Sequence, residues 1–280
     1  MEVAVDPYIS MFLQRDMWQL LNTFFLGLAR IVPIIAIAPF LGAKAISDPM
    51  KIGFGVGITF IFFPFLLVQA EVPQVFNVTF IALVIKEVTI GAVLGMIIAI
   101  PFFYTQGAGS LIDHQRGAQS LQVMDPTTQT QSSPIGRLYG DIMLVSFFYI
   151  GGPLLFFDAL FTSYQIMPID KFLPPEFFTD ANPVWHTLIS LCHTLFKLAI
   201  QLAAPSLIAI LMSDLFLGIA NRMAPQVQIS FLLWSMKAFI GLAILWLAWW
   251  LIIKQMDVHG LNWLKNLETL IDKIPPVAQI

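Results

Sequence analysis

The side chains of this sequence that could do chemistry stand inside apolar runs, where an ionised group facing lipid costs about 3 kcal/mol or more at a helix centre. Arg30 falls in "FFLGLARIVPIIAI", the adjacent Lys86 and Glu87 in "FIALVIKEVTIGAVLG", Asp214 and Arg222 in "SDLFLGIANRM", and Lys237 in "LLWSMKAFIGLA". Lys86 and Glu87 lie about 13 Å along a helix begun near residue 77, at ~1.5 Å per residue. Snorkelling to the membrane surface is one explanation, but burial against partner helices suits that depth better. Asp214, Gly218 and Arg222 stand at i, i+4 and i+8, so two opposite charges flank a glycine on one helix face where another helix could come close. Without such partners in lipid these charges would leave the chain unstable alone.

Catalytic chemistry has no comparable foothold. No nucleophile has a base beside it, and no pair of carboxylates is set for acid-base work, so the sequence does not read as an enzyme. His186, Cys192 and His193 lack the four-ligand spacing of a metal centre, and neither metal nor cofactor is expected. Cys192 is the single cysteine, which excludes an internal disulfide. "GFGVG" at 53–57 has no strand before it, so helix packing explains it better than a nucleotide loop. Asn77-Val78-Thr79 matches a glycosylation sequon, a weak signal beside an apolar run.

The elements that must position these charges are membrane helices. Hydrophobic residues make up 58% of the 280 and charged ones 11%, with a mean hydropathy of +0.82, which is far from a soluble domain. The fold class is therefore all-α, an integral membrane protein with about six kinked hydrophobic regions near residues 17–41, 52–70, 77–112, 138–163, 187–220 and 227–253. Glu2, Asp6 and Asp16 against Arg15 make the N-terminus too acidic for a signal peptide, so the first span is expected to be retained. A net charge of −3 without basic clusters gives no nucleic-acid footprint. Topology is not legible from loop cations: Arg15, Lys171, Lys254, Lys265 and Lys273 would face Lys44, Lys51, Arg116, Arg137 and Arg222 across the membrane, an even split. Pro33, Pro39, Pro64, Pro101, Pro205 and Pro225 are expected to interrupt or bracket the spans, and such breaks survive only against protein or a water-filled cavity. Gly91 and Gly95, like Gly136 and Gly140, have the spacing that lets helix backbones touch.

One long polar passage separates the third and fourth regions, "GAGSLIDHQRGAQSLQVMDPTTQTQSSPIGRLYGD" at 107–141. Gly107 to Gly109 are expected to loosen the third helix, and "PTTQTQSSP" is rich in turn formers. An idle loop would satisfy this composition. An uncharged Thr/Gln/Ser run flanked by Leu121, Val123 and Met124 also suits a wide conduit, with adaptable apolar groups to seal it and polar ones that hold cargo weakly. Within the passage Arg116 carries five donors in a rigid fork, able to bridge to Asp113, Asp125 or backbone carbonyls.

Three blocks, "KEVTIGAVLG" (86–95), "GSLIDHQRGAQSLQVMDP" (109–126) and "DLFLGIANRMAPQVQISFLLWSMK" (214–237), together with "ARIVPIIAIAPFLG" near the start, resemble the T subunits of bacterial type III secretion export gates, the family that includes the flagellar protein FliR. The likeness spans about residues 12–257, and the "IDHQRG" form is closer to the virulence, or injectisome, branch. It implies a chain resembling a fusion of the small R and S export-gate subunits. Such a chain would be multi-pass in the bacterial inner membrane at the base of a secretion system, assembled with R, S, the switch component and the large export protein, and passing unfolded proteins. It further implies a membrane domain over 1–257 in which residues 107–136 plug the channel. Asp113, Gln115, Arg116, Gly117, Leu121, Val123, Met124, Asp125 and Pro126 are the candidate gating residues. Arg30, Lys86, Glu87, Asp214, Arg222 and Lys237 are the candidate assembly charges, and Gly91, Gly95 and Gly218 the packing glycines.

Beyond Asp257, where the likeness ends, Leu261, Leu264, Leu267, Ile271 and Ile274 recur at helical spacing among charged residues. A cytoplasmic amphipathic tail over 258–280 is expected, ending before Pro275-Pro276. A secondary transporter is the alternative reading, since its broken helices and intramembrane charges look alike. A transporter should show a repeat between its halves, and none is visible.

Overall fold

The computed structural model describes residues 15–41, 46–70, 76–117, 133–172, 183–223 and 229–272, and among them there is helix and no strand. Eight α-helices follow in order: α1 Met17–Ile37, α2 Asp48–Gln69, α3 Val78–Gln115, α4 Pro134–Tyr149, α5 Gly152–Ile166, α6 Pro183–Met223, α7 Ile229–Leu247 and α8 Trp249–Asp272, with a 3-10 turn at Pro39–Leu41. Four helices, α1, α2, α3 and residues 189–223 of α6, are long and apolar enough to cross a membrane, and up to six spans result if each of two bent pairs, α4–α5 and α7–α8, counts as one. The chain is an all-α integral membrane protein.

Pro39 does end the first region, where the 3-10 turn follows α1, and Pro225 lies outside the described residues, but the other four prolines mark no break. Pro33, Pro64, Pro101 and Pro205 lie inside continuous helices. A helix can pass such a residue when packing outweighs the lost backbone bond. Gly107 and Gly109 do not loosen α3 either, for the helix runs through them to Gln115. The fourth region instead splits at Gly151, whose φ of +77° favours glycine, and the next two residues, Gly152 and Pro153, complete a stop signal that the sequence carries openly. The sixth region bends by 62° where α7 meets α8. Residues 258–272 accordingly continue α8 from Trp249; they do not start a helix of their own, and residues 273–280 lie outside the described part.

Two compact units share the chain. One holds residues 1–99, 153–189 and 264–280, with a core of Leu26, Ile31, Ile35, Leu66, Leu94 and Leu160 among others. Phe40 meets Phe156 edge-on there, with ring centroids 5.1 Å apart. The other holds residues 100–152 and 190–263, and its buried side chains include Tyr104, Ile112, Tyr139, Met143 and Met256. Asn77, the start of the sequon, caps α3 by accepting from Phe80 N at 2.9 Å, a local reason for an asparagine at that position. In "GFGVG" only Gly55 faces another helix among the described residues, where an added Cβ would lie 3.4 Å from Ile35 Cδ1. Gly53 and Gly57 are open, which corrects the packing explanation for those two.

Candidate functional site

In the first unit the sequence's isolated charges meet each other. Arg30 of α1 is fully buried, as is Glu87 of α3, and they bond in a bidentate fork, Nε to Oε2 at 2.6 Å and Nη2 to Oε1 at 3.0 Å. The remaining guanidinium donors go to the end of α5: Nη1 donates to Ser163 O at 2.9 Å and Ser163 Oγ at 3.2 Å, and Nη2 to Met167 O at 2.7 Å. Arg30 Cζ lies over the Tyr164 ring, 4.2 Å from its centroid, while the Tyr164 hydroxyl donates to Gly27 O at 2.9 Å. Lys86 reaches Glu87 Oε1 at 2.7 Å and donates to Pro168 O and Lys171 O at 2.8 Å each. Two cations thus satisfy the carbonyls where α5 ends, the polarity that a helix C-terminus favours.

Gly91 makes this junction possible. A Cβ there would overlap the Arg30 carbonyl oxygen and lie 3.1 Å from Arg30 Cα, and one at Gly95 would lie 3.1 Å from Ile34 Cα. The two backbones approach closely one turn apart, in the manner of small-xxx-small pairs. Lys86, Glu87 and Arg30 are therefore buried against their own chain, not left for other subunits. The expectation that unpaired charges would destabilise the solitary protein does not apply to them.

In the second unit Asp113 holds together the two borders of the polar passage. Its Oδ1 pairs with Arg116 Nη2 at 2.5 Å, and its Oδ2 accepts from Ile135 N at 2.8 Å and from the Ser133 hydroxyl. Ser133 Oγ in turn accepts from Gly136 N at 2.8 Å, so α4 begins with a serine cap, a proline at its first turn and a carboxylate at its positive end. Gly109 and Gly136 bring α3 and α4 together, since a Cβ on the first would lie 2.6 Å from Cα of the second. The Arg116 stem occupies the place of a side chain at Gly241 of α7, whose Cβ would be 2.8 Å from Arg116 Cδ.

Gly117 closes α3 with a φ of +77°, and Gln115 is in its last turn. Leu121, Val123, Met124, Asp125 and Pro126 lie outside the described residues. Of the passage 107–136, residues 107–115 belong to α3 and 134–136 to α4.

Asp214 pairs with Lys237 of α7 at 2.5 Å, while Arg222 is exposed. Among the described residues a Cβ at Gly218 would meet nothing within 4 Å, and Gly140 is equally open. Among the described residues no three His, Cys, Asp or Glu side chains converge to hold a metal, and His186, Cys192 and His193 are exposed.

Several participants escaped the sequence. Ser133 was legible, since a serine before Pro134 and a helical run marks a helix start. Ser163, Tyr164, Met167 and Gly241 carry no local signal, and neither does the hydrogen bond from Ser146 to Asp257.

The family model described as bacterial export proteins, family 1, matches residues 21–260. The surface presentation of antigens protein SpaR of Salmonella typhimurium is 27% identical over 220 residues, covering 79% of this chain and 80% of that protein. The flagellar biosynthetic protein FliR of Pectobacterium carotovorum is 30% identical over 218 residues, 76% of this chain and 79% of its own. The Yop proteins translocation protein T of Yersinia pestis is 28% identical over 223 residues, 79% and 83% respectively.

Proposed function

Because this chain belongs to the bacterial export proteins, family 1, and so serves export as an apparatus subunit and not as an enzyme, we propose that it is a core export-gate component of a type III protein secretion system, of the virulence branch. It sits as a multi-pass protein in the bacterial inner membrane at the base of that system. With the R and S subunits, the switch component and the large export protein, it forms and seals the channel through which unfolded proteins pass. Energy comes from other components, and no cofactor takes part.

The observation that carries the sealing role is the Asp113 clasp. A single carboxylate binds Arg116 before the polar passage and Ser133 and Ile135 after it, so both of its ends are fixed at one point. A passage anchored in this way has its two borders held together, which suits a plug. Deleting Gln119 to Ser132, with assembly verified by intact-complex mass spectrometry, is expected to raise membrane conductance and small-solute leakage. Arg116→Ala should leak less than the deletion, because Ser133 and Ile135 still hold Asp113. An assembled deletion variant as tight as the parent would refute the sealing role.

A further inference from the structure

Arg30 and Arg116 both grip a carboxylate, and only the first is fully bonded. Arg30 has an acceptor for each of its five donors. Arg116 donates from Nη2 to Asp113 at 2.5 Å, while its enclosed Nε has no acceptor among the described residues. A buried polar atom left in this way calls for a reason, and here shape supplies it. The Arg116 stem lies in a notch of α7 that exists because residue 241 is glycine: a Cβ there would come 2.9 Å from Arg116 Cγ, 2.8 Å from its Cδ and 3.3 Å from Ile210 Cδ1 of α6. Held by fit and by one carboxylate oxygen, this side chain can leave its place at less cost than Arg30 could.

The helices around the polar passage supply a cause for such a departure. Its first border, at the end of α3, meets α7 through Arg116. Its second border, α4, meets α8, where the Ser146 hydroxyl donates to Asp257 and a Cβ at Gly260 would lie 2.9 Å from Met143 Cε. α7 and α8 are the arms of one bent pair, turned by 62° about Ala248, and backbone bonds run through the turn, Ala248 N to Ile244 O at 2.8 Å and Ile252 N to Ala248 O at 2.9 Å. A change in that angle moves the two borders relative to each other. Asp113 keeps Ser133 and Ile135 with its second oxygen, so the contact that yields is Arg116 in its notch.

We propose that Arg116 in the Gly241 notch is a release latch for the polar passage, worked by the α7–α8 bend. With Arg116 seated, α7 and α8 hold both borders and the passage stays closed. When the bend changes, Arg116 leaves the notch and Asp113 gives up its guanidinium, which frees the α3 border while Ser133 still caps α4. Gly241 is thus a positioning residue that acts on the passage only through Arg116. The latch rests on the sealing role given to the passage, and it adds what controls that role.

The test uses the purified complex, its assembly verified by intact-complex mass spectrometry, and vesicles reconstituted from it. Gly241→Ala favours the helix yet puts a methyl group where the Arg116 stem lies. Small-solute leakage should rise to the level of Arg116→Ala, and the double variant should leak no more than either single one, because two changes to one contact do not add. For the bend, spin labels at the exposed Phe239 of α7 and Val258 of α8, in a Cys192→Ser background, should show a broader distance distribution in both single variants than in the parent. A tight Gly241→Ala complex, a double variant whose leakage sums the two single effects, or an unchanged label distance in leaking variants would each overturn the latch. If the Gln119 to Ser132 deletion leaks and Gly241→Ala does not, the sealing role stands without the latch; if the deletion is tight as well, both fall.

Discussion

Arg30 is the residue on which the first unit turns, because its five donors all have acceptors and those acceptors come from α3 and the end of α5. Lysine offers three donors from a single point and cannot reproduce a fork. Removing the guanidinium leaves Glu87 buried with Lys86 alone, and breaking a buried pair in this way costs about 3–5 kcal/mol. Arg30→Ala is therefore expected to abolish folding or lower the unfolding midpoint of the purified protein steeply, with Arg30→Lys intermediate. An Arg30→Ala variant that unfolds like the parent in detergent would show that the junction contributes little. The sequence revealed that Arg30, Lys86 and Glu87 were out of place in an apolar run, and it could not reveal that they were each other's answer. Residues 57 apart have no local pattern that pairs them.

Helices meet in this protein where glycines allow it, and the glycines are not equivalent. At Gly91 a methyl group would collide with the α1 backbone, which cannot rotate away, and at Gly95 it would be tight, 3.1 Å from Ile34 Cα. Gly91→Ala should cost about 1–3 kcal/mol through overpacking. Gly218→Ala, with nothing within 4 Å, should leave the isolated chain unchanged or up to about 1 kcal/mol more stable, from helix propensity alone. Chemical unfolding of the two variants side by side checks this, and equal losses would contradict the packing described. Spacing alone proposed all of these glycines, since i and i+4 share a face whether or not another helix lies against it. The same limit explains the prolines. Their effect on a lone helix is readable, but whether packing carries a helix past them depends on neighbours that the local sequence does not name.

At the scale of the whole molecule, α8 links the membrane portion to the C-terminal tail without a break. A cut after Asp257 would remove Gly260, where a Cβ would lie 2.9 Å from Met143 Cε, and the buried Trp263, so it would disturb packing as well as the tail. A cut after Trp263 keeps those two contacts. Removing residues 264–280 is expected to weaken recruitment of the switch component or large export protein while leaving the core hetero-oligomer intact by native mass spectrometry. Loss of the core assembly would contradict a cytoplasmic contact role for the tail.

The sequence by itself determined the class of this protein, because the free energy of placing a residue in hydrocarbon adds up along the chain: length, apolarity and scarcity of charge identify the spans wherever they later pack. Its three blocks of residues also pointed to the family that the family model matched over residues 21–260. Only the tertiary structure decided that Arg30 closes on Glu87 and the end of α5, that Asp113 joins Arg116 to Ser133 and Ile135, and that Asp214 finds Lys237. Apart from the local Asp113–Arg116 pair, which the sequence offered, each of these is a distance between groups further apart in the chain. Such distances are set by which helix faces come together, and a periodic pattern shows that a face exists without showing what it meets.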